Sequence, residues 1–282
     1  MARSEVTWNS SLTRVRPFFD QLITRDPTGE HWLSAVVTSA SSEDRVAEQP
    51  RMLEPLNQEL FLGKHHKDNR LGVKVWMRRC FEHPLLPTRE LLEFCLRNPE
   101  RLEWPRKRGR YDEDMGDETL KMRKALLRDE PPGRTIAQEK GLALLEELGP
   151  GNAARKWWAF EGATEVDCLL RTETYTLLVE GKRTEDLSEK TRWLPGRNQL
   201  ARNLEAAGQM SHAGVLLAVE EPIPDLDVRA IVEAGCPHLD QPQQQGLCGG
   251  FLGQVTWREL CRRTAIEWAS LPDAIGVLAK DI

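Results

Sequence analysis

The chain has 282 residues, 40% hydrophobic and 29% charged, a balance that excludes a disordered polyelectrolyte and supplies enough apolar mass for a buried core. Its 39 Lys and Arg against 44 Asp and Glu give a net charge of −5, which argues against non-specific coating of nucleic acid but leaves room for a local basic groove on an acidic body. No apolar run approaches the roughly 18 residues a membrane helix needs, and residues 1–11 lack the basic-then-apolar order of a signal peptide. Six cysteines with no C-x-x-C pair read as reduced thiols, so a cytoplasmic protein with no membrane association is expected.

In chain order, residues 1–130 hold short amphipathic segments broken by polar loops. The stretch 38–50 is polar and reads as a loop, and 71–81 (LGVKVWMRRCF) fits helix or strand. Residues 89–97 (RELLEFCLR) repeat apolar side chains at helical spacing. A basic run, 101–110 with Trp104 inside it, precedes the acidic Asp112-Glu113-Asp114. It reads either as a track for a phosphate backbone with a stacking aromatic or as a solvated loop. Pro131-Pro132-Gly133 breaks the chain. Residues 134–148 then predict a helix stopped by Gly149-Pro150-Gly151. Residues 156–161 (KWWAFE), 165–171 (EVDCLLR) and 174–180 (TYTLLVE) predict three strands, the last two joined by a tight turn. Trp157 and Trp158 are expected in the core, and His212 in the loop before the next strand. Pro195 opens a second helix that runs to about 209. The nearly continuous apolar run 213–220 suits a buried strand, 251–256 another strand, and 257–270 a final helix. Helix, three strands, helix and strand make a mixed α/β layer architecture.

Chemistry concentrates in this second half. Asp167 and Glu180 are separated by twelve residues, a spacing that brings their carboxylates together if the two strands form a hairpin. Glu180 and Lys182 are two apart and share one face of an extended segment. Two acids and a lysine at one strand end suit Mg²⁺ or Mn²⁺, a hard cation held by one or two carboxylates together with substrate phosphate and water. Gly181 leaves room for close approach of a substrate and offers its carbonyl as a further ligand. Glu180 and Lys182 read alternatively as a solvated strand end. Asp167 is harder to read that way, because it interrupts an apolar strand, where an unpaired carboxylate is costly. Cys236, His238, Cys248 and Cys261 supply zinc-type donors, but at a spacing that fits no standard site. His65-His66 reads as a surface loop.

The run Val166-Asp167, twelve residues, Glu180-Gly181-Lys182, then Arg197-Asn198-Gln199-Leu200-Ala201-Arg202, resembles the PD-(D/E)XK nuclease superfamily, with Val166 where the family name has proline. The predicted element order over 134–220 is similar to that superfamily's αβββαβ core. The resemblance implies a restriction-endonuclease-like fold with a mixed central sheet in a nuclease-like domain over 131–282, preceded by a mainly helical extension over 1–130 that selects substrate or partner. It implies metal ligation by Asp167 and Glu180 and a catalytic role for Lys182. It also raises Glu139 on the first helix as a further ligand, although a helical wheel turns that residue away from the apolar stripe, toward solvent. Gln199 resembles the polar residue some members set near the metal, and it shares a helix face with Arg202 and Asn203. Arg183, Lys190, Arg192, Arg197 and Arg202 flank the site as candidates for a positive groove. The expected activity is Mg²⁺-dependent hydrolysis of phosphodiesters, in DNA by preference. A homodimer or a partner protein is left open. The rival expectation is an inactive nuclease fold kept as a nucleic-acid or protein interaction module.

Overall fold

The computed structural model describes residues 10–40, 74–77, 85–104, 117–128, 131–150, 156–172, 175–183, 187 and 193–273. A π turn over Ser11–Val15 runs into α1 (Arg16–Arg25), followed by α2 (Leu33–Val37), β1 (Lys74–Met77) and α3 (Arg89–Arg97). Then come α4 (Asp117–Arg128), α5 (Gly133–Leu148), β2 (Cys168–Arg171), β3 (Thr176–Gly181), α6 (Gln199–Gly208) and β4 (Ala213–Val219). The described chain closes with α7 (Val228–Gly235), α8 (Gln241–Gly249), β5 (Phe251–Thr256) and α9 (Trp257–Thr264). The architecture is mixed α/β, as the alternation of periods predicts.

The five strands lie in sequence order across one sheet. β1 to β3 are antiparallel neighbours, with Met77 opposite Cys168 and Cys168 opposite Val179. β4 runs parallel to β3, and β5 parallel to β4. Parallel neighbours need a crossover, which α6 supplies between β3 and β4 and α7 with α8 between β4 and β5. All six residues of β3 are buried. Helices on both faces of the sheet leave no room for the polar half of an alternating strand, which explains the continuous apolar runs there and in β4.

One face of the sheet packs Leu177, Val179, Leu216 and Ala218 against Val15, Phe18, Phe19 and Leu22 from the N-terminus and Trp257, Leu260 and Cys261 from α9. Phe18 meets Phe19 and Trp257 edge-on at 5.1 and 5.8 Å between ring centroids. The other face packs Leu178, Val215 and Leu217 against Leu200, Leu204 and Ala207 of α6 and Val232 of α7. A third cluster lies apart from these two, joining α3, α4 and α5 with Trp157, Trp158, Phe160, Trp193 and Leu194.

Three expectations change. The helix that covers the sheet is α1, not α5, whose buried residues Ala137, Gly141 and Leu145 face the helical layer. The first strand is the ambiguous stretch around 74–77, not 156–161. Trp157 to Phe160 are all buried, in turns and bends, and Arg123 satisfies their backbone by donating to the carbonyls of Trp157 and Ala159 at 2.8 Å. A guanidinium does here what a neighbouring strand would do in a sheet. Residue 130 is therefore not a packing boundary, because β1 joins the sheet of β2 to β5 and α1 packs into the core on one face of that sheet.

Candidate active site

The ends of β3 and β4 and the start of β2 meet at one end of the three central strands. Cys168 stands opposite Val179, so extending that antiparallel register by one residue sets Asp167 opposite Glu180. Asp167 precedes β2 and is 8% exposed. Its Oδ2 accepts from the Gly181 backbone N–H at 2.9 Å, and its Oδ1 accepts from the Ser11 hydroxyl. Ser11 belongs to the helical turn that leads into α1.

Glu180 has no solvent exposure. Its Oε2 accepts from Gln199 Nε2 at 2.9 Å and from Asn203 Nδ2 at 3.0 Å. Gln199 and Asn203 are four apart on α6, and so lie above one another on the face turned to the strand end. Asn198 fixes the helix start by accepting from the Ala201 N–H at 2.9 Å. Oε1 of Glu180 is 2.8 Å from Lys182 Nζ, but off the line of a good hydrogen bond. The ammonium donates instead to Gln199 Oε1 at 3.2 Å. Burial, and next the charge of Asp167, push the Glu180 carboxyl up to about 7, against the pull of Lys182 and Asn203.

Asp167, Glu180, Lys182 and Gln199 are thus brought together as expected. Gly181 has a different use from the one expected. A Cβ there would strike Val15 Cγ2 and come within 3.0 Å of Trp257 Cζ2. The missing side chain therefore admits the N-terminal turn and α9, not a substrate. Glu139 is exposed on α5, in the helical layer, and does not join the carboxylate pair.

The expected positive groove is corrected by three arginines committed to internal pairs. Arg197 is 1% exposed and bridges Glu161, at 2.5 and 2.7 Å, to Glu205 at 2.5 Å. Arg202 pairs with Glu161 at 3.2 Å and donates to the carbonyls of Gly162 and Ala163. Arg183 turns to Glu220 and Asp273. A buried guanidinium must be neutralised where it sits, and two acids at 161 and 205 that no sequence spacing links to 197 do this. His238 joins the same network, 2.9 Å from Glu205. Burial pushes the Glu205 carboxyl up, but His238, Arg197 and Thr88 outweigh it and hold the group at about 2. Lys190, Arg192, His65-His66 and residues 105–110 of the basic run lie outside the described residues.

The zinc alternative also fails on geometry. Cys236 and Cys248 belong to one face of the sheet and Cys261 to the other. Among the described residues no group of three or more His, Cys, Asp or Glu gathers to hold a metal. Burial raises the Cys95 and Cys236 thiols to about 12 and Cys261 to about 11, which removes them as nucleophiles at neutral pH.

Sequence reasoning missed Ser11 and the role of Asn203. Asn203 is legible as the residue one turn beyond Gln199. Ser11 is not, because it lies 156 residues from Asp167 and only the packing of α1 brings the two together.

No helix among the described residues is long and apolar enough to cross a membrane. No family model matches the chain, and no curated protein or solved structure is significantly similar to it.

Proposed function

We propose that the protein is a divalent-metal-dependent phosphodiesterase, a nuclease of the PD-(D/E)XK type with DNA as its substrate. The observation that carries this is the pairing of Asp167 with a fully buried Glu180 whose carboxyl is pushed up to about 7, with Lys182 Nζ 2.8 Å away. Two carboxylates held this closely repel each other in a poorly solvated place, and a hard divalent cation relieves that repulsion. The donor set fits Mg²⁺ or Mn²⁺: two carboxylates, with Oε1 of Glu180 lacking a well-directed hydrogen bond. Asp167, Glu180 and the Gly181 carbonyl would hold the ion. When bound, it supplies charge neutralisation at the phosphate and lowers the pKa of a coordinated water.

The chain's own residues do the rest. Lys182 holds a proton at Nζ and orients the attacking water or balances charge building on the phosphate. Gln199 bridges Lys182 and Glu180 and fixes their separation. Asn203 and Ser11 hold the two carboxylates in register. The element order also supports a restriction-endonuclease-like core, read as α1, β1, β2, β3, α6 and β4, with α3 to α5 as an insertion between its first two strands.

The second reading is a nuclease fold kept as an interaction module for nucleic acid or another protein. It is favoured by the commitment of Arg183, Arg197 and Arg202 to internal pairs. The two readings differ in metal uptake and cleavage. Linear, circular and single-stranded DNA are incubated with and without Mg²⁺ or Mn²⁺, beside calorimetric titration of each metal. Metal-dependent cutting that disappears in folded Asp167→Ala and Glu180→Ala variants is expected. Undiminished cutting in either variant, or no metal uptake by the unmodified chain, rejects the nuclease.

A further inference from the structure

The two carboxylates of the candidate site differ in how many of their acceptor positions are already taken. Each oxygen of a carboxylate accepts about two hydrogen bonds. Oε2 of Glu180 accepts from two amides, Gln199 Nε2 at 2.9 Å and Asn203 Nδ2 at 3.0 Å, so it is saturated. Oε1 accepts no well-directed hydrogen bond. Asp167 is less restricted, because each of its oxygens accepts from one donor, the Gly181 N–H at Oδ2 and the Ser11 hydroxyl at Oδ1.

The two amides are fixed in this orientation. Gln199 is held from both ends, since its Oε1 accepts from Lys182 Nζ at 3.2 Å. Asn203 is 0% exposed, and its Oδ1 has no donor among the described residues. Turning that amide over would set its oxygen against Glu180 Oε2 and lose the hydrogen bond. A buried amide oxygen without a donor is destabilising, and the buried residues beside Asn203 on the helix include Leu200 and Leu204. Packing alone would therefore favour leucine at 203. What asparagine adds there is the hydrogen bond that saturates Oε2.

We propose that Asn203 and Gln199 set the ion selectivity of the site: by saturating Oε2 they leave Glu180 a one-oxygen ligand and favour Mg²⁺ over Ca²⁺. Ca²⁺ collects about 6–8 oxygens, often both from one carboxylate. Mg²⁺ needs about six in a strict octahedron, with few from the protein and the rest from water and substrate. A glutamate that offers one oxygen suits the second ion and starves the first. The inference rests on the reading of Asp167 and Glu180 as metal ligands, and not on cleavage.

The test is calorimetric titration of the full chain with Mg²⁺ and with Ca²⁺, without nucleic acid, at a pH above the Glu180 value of about 7. The quantity read is the ratio of the two dissociation constants. The unmodified chain should bind Mg²⁺ at least as tightly as Ca²⁺. Asn203→Leu opens one position on Oε2 with little change of volume, and should move the ratio toward Ca²⁺ on the order of tenfold. A merely structural role for Asn203 would weaken both ions alike and leave the ratio unchanged, which overturns the proposal. If Asn203→Leu folds poorly, Gln199→Met removes the other donor to the same oxygen from a half-buried position. It should move the ratio in the same direction, and an unchanged ratio there overturns the proposal likewise. Tighter binding of Ca²⁺ than of Mg²⁺ by the unmodified chain overturns it too, even where Mg²⁺-dependent cleavage persists. Uptake with the expected ratios but no cleavage of DNA rejects the nuclease reading alone, and no uptake of either ion rejects both.

Discussion

Glu180 is the residue on which the chemistry turns, because it has no contact with water and little freedom to change partners. Burial and the neighbouring Asp167 raise its carboxyl from 4.5 to about 7. The folded chain therefore holds this proton more tightly than the unfolded chain does. The resulting stabilisation is complete below about pH 4.5 and is lost as the pH rises through about 7. Metal-free protein should accordingly lose stability across that window, and Glu180→Gln should flatten the loss. Urea unfolding at a series of pH values measures it, and an unchanged slope in the variant contradicts the assignment. Lys182 has a different signature. Lys182→Ala should keep metal binding, since an ammonium is no ligand for Mg²⁺, and lose about 10² to 10⁴ in single-turnover cleavage. Lys182→Arg should not restore the rate fully, because a guanidinium differs in shape and stays protonated. Cleavage by Lys182→Ala at the unmodified rate under saturating metal would remove the lysine from the mechanism.

Elements act here mainly by how closely they approach. The N-terminal turn and α9 reach β3 only because position 181 carries no side chain, with Val15 and Trp257 filling the space a Cβ would need. The Trp257 indole N–H donates to the Lys182 carbonyl at 3.1 Å, and the Lys182 N–H to Ala218 at 2.7 Å, so the strand end is pinned on two sides. Gly181→Ala should cost about 1–3 kcal/mol, the usual range for overpacking a filled core. It should also displace Asp167, whose Oδ2 accepts from the Gly181 N–H. A thermal melt beside metal titration checks both, and a variant that matches the unmodified chain in stability would show that α1 yields easily. The strands were legible where burial is continuous: β3 and β4 fall where the apolar runs put them. The stretch 156–161 misled because four consecutive apolar residues look like a strand whether the backbone pairs with a neighbour or, as here, with Arg123.

At the scale of the whole molecule, the segment from Val15 to Leu22 is part of the core and not an attachment to it. Val15, Phe18, Phe19 and Leu22 are each 2% exposed or less and cover one face of the sheet. Losing one large core side chain typically costs about 2–5 kcal/mol, so losing four, about 8–20 kcal/mol, is as large as the roughly 5–15 kcal/mol that holds a domain folded. A chain that lacks residues 1–25 should be unfolded by circular dichroism, and a fragment that starts near Arg134 should fail likewise. A cooperative melt from either fragment would overturn this.

The sequence by itself determined the acid–acid–lysine set, its spacing, the strand that carries Glu180 and the helix that carries Gln199. These are local relations, fixed by a period of two along a strand and about four along a helix. Only the tertiary structure decided which helix lies on the sheet, which segment supplies its first strand, and which arginines are spent inside. Ser11 meets Asp167 across 156 positions and Arg14 meets Glu220 across 206. Local periodicity carries no information at that range. The choice among amphipathic helices for one sheet face is made by fit, here by the gap that Gly181 leaves for Val15. A charged side chain reads the same in sequence whether it faces a phosphate or a buried carboxylate, so the partner that neutralises it is known only once the chain has closed around it.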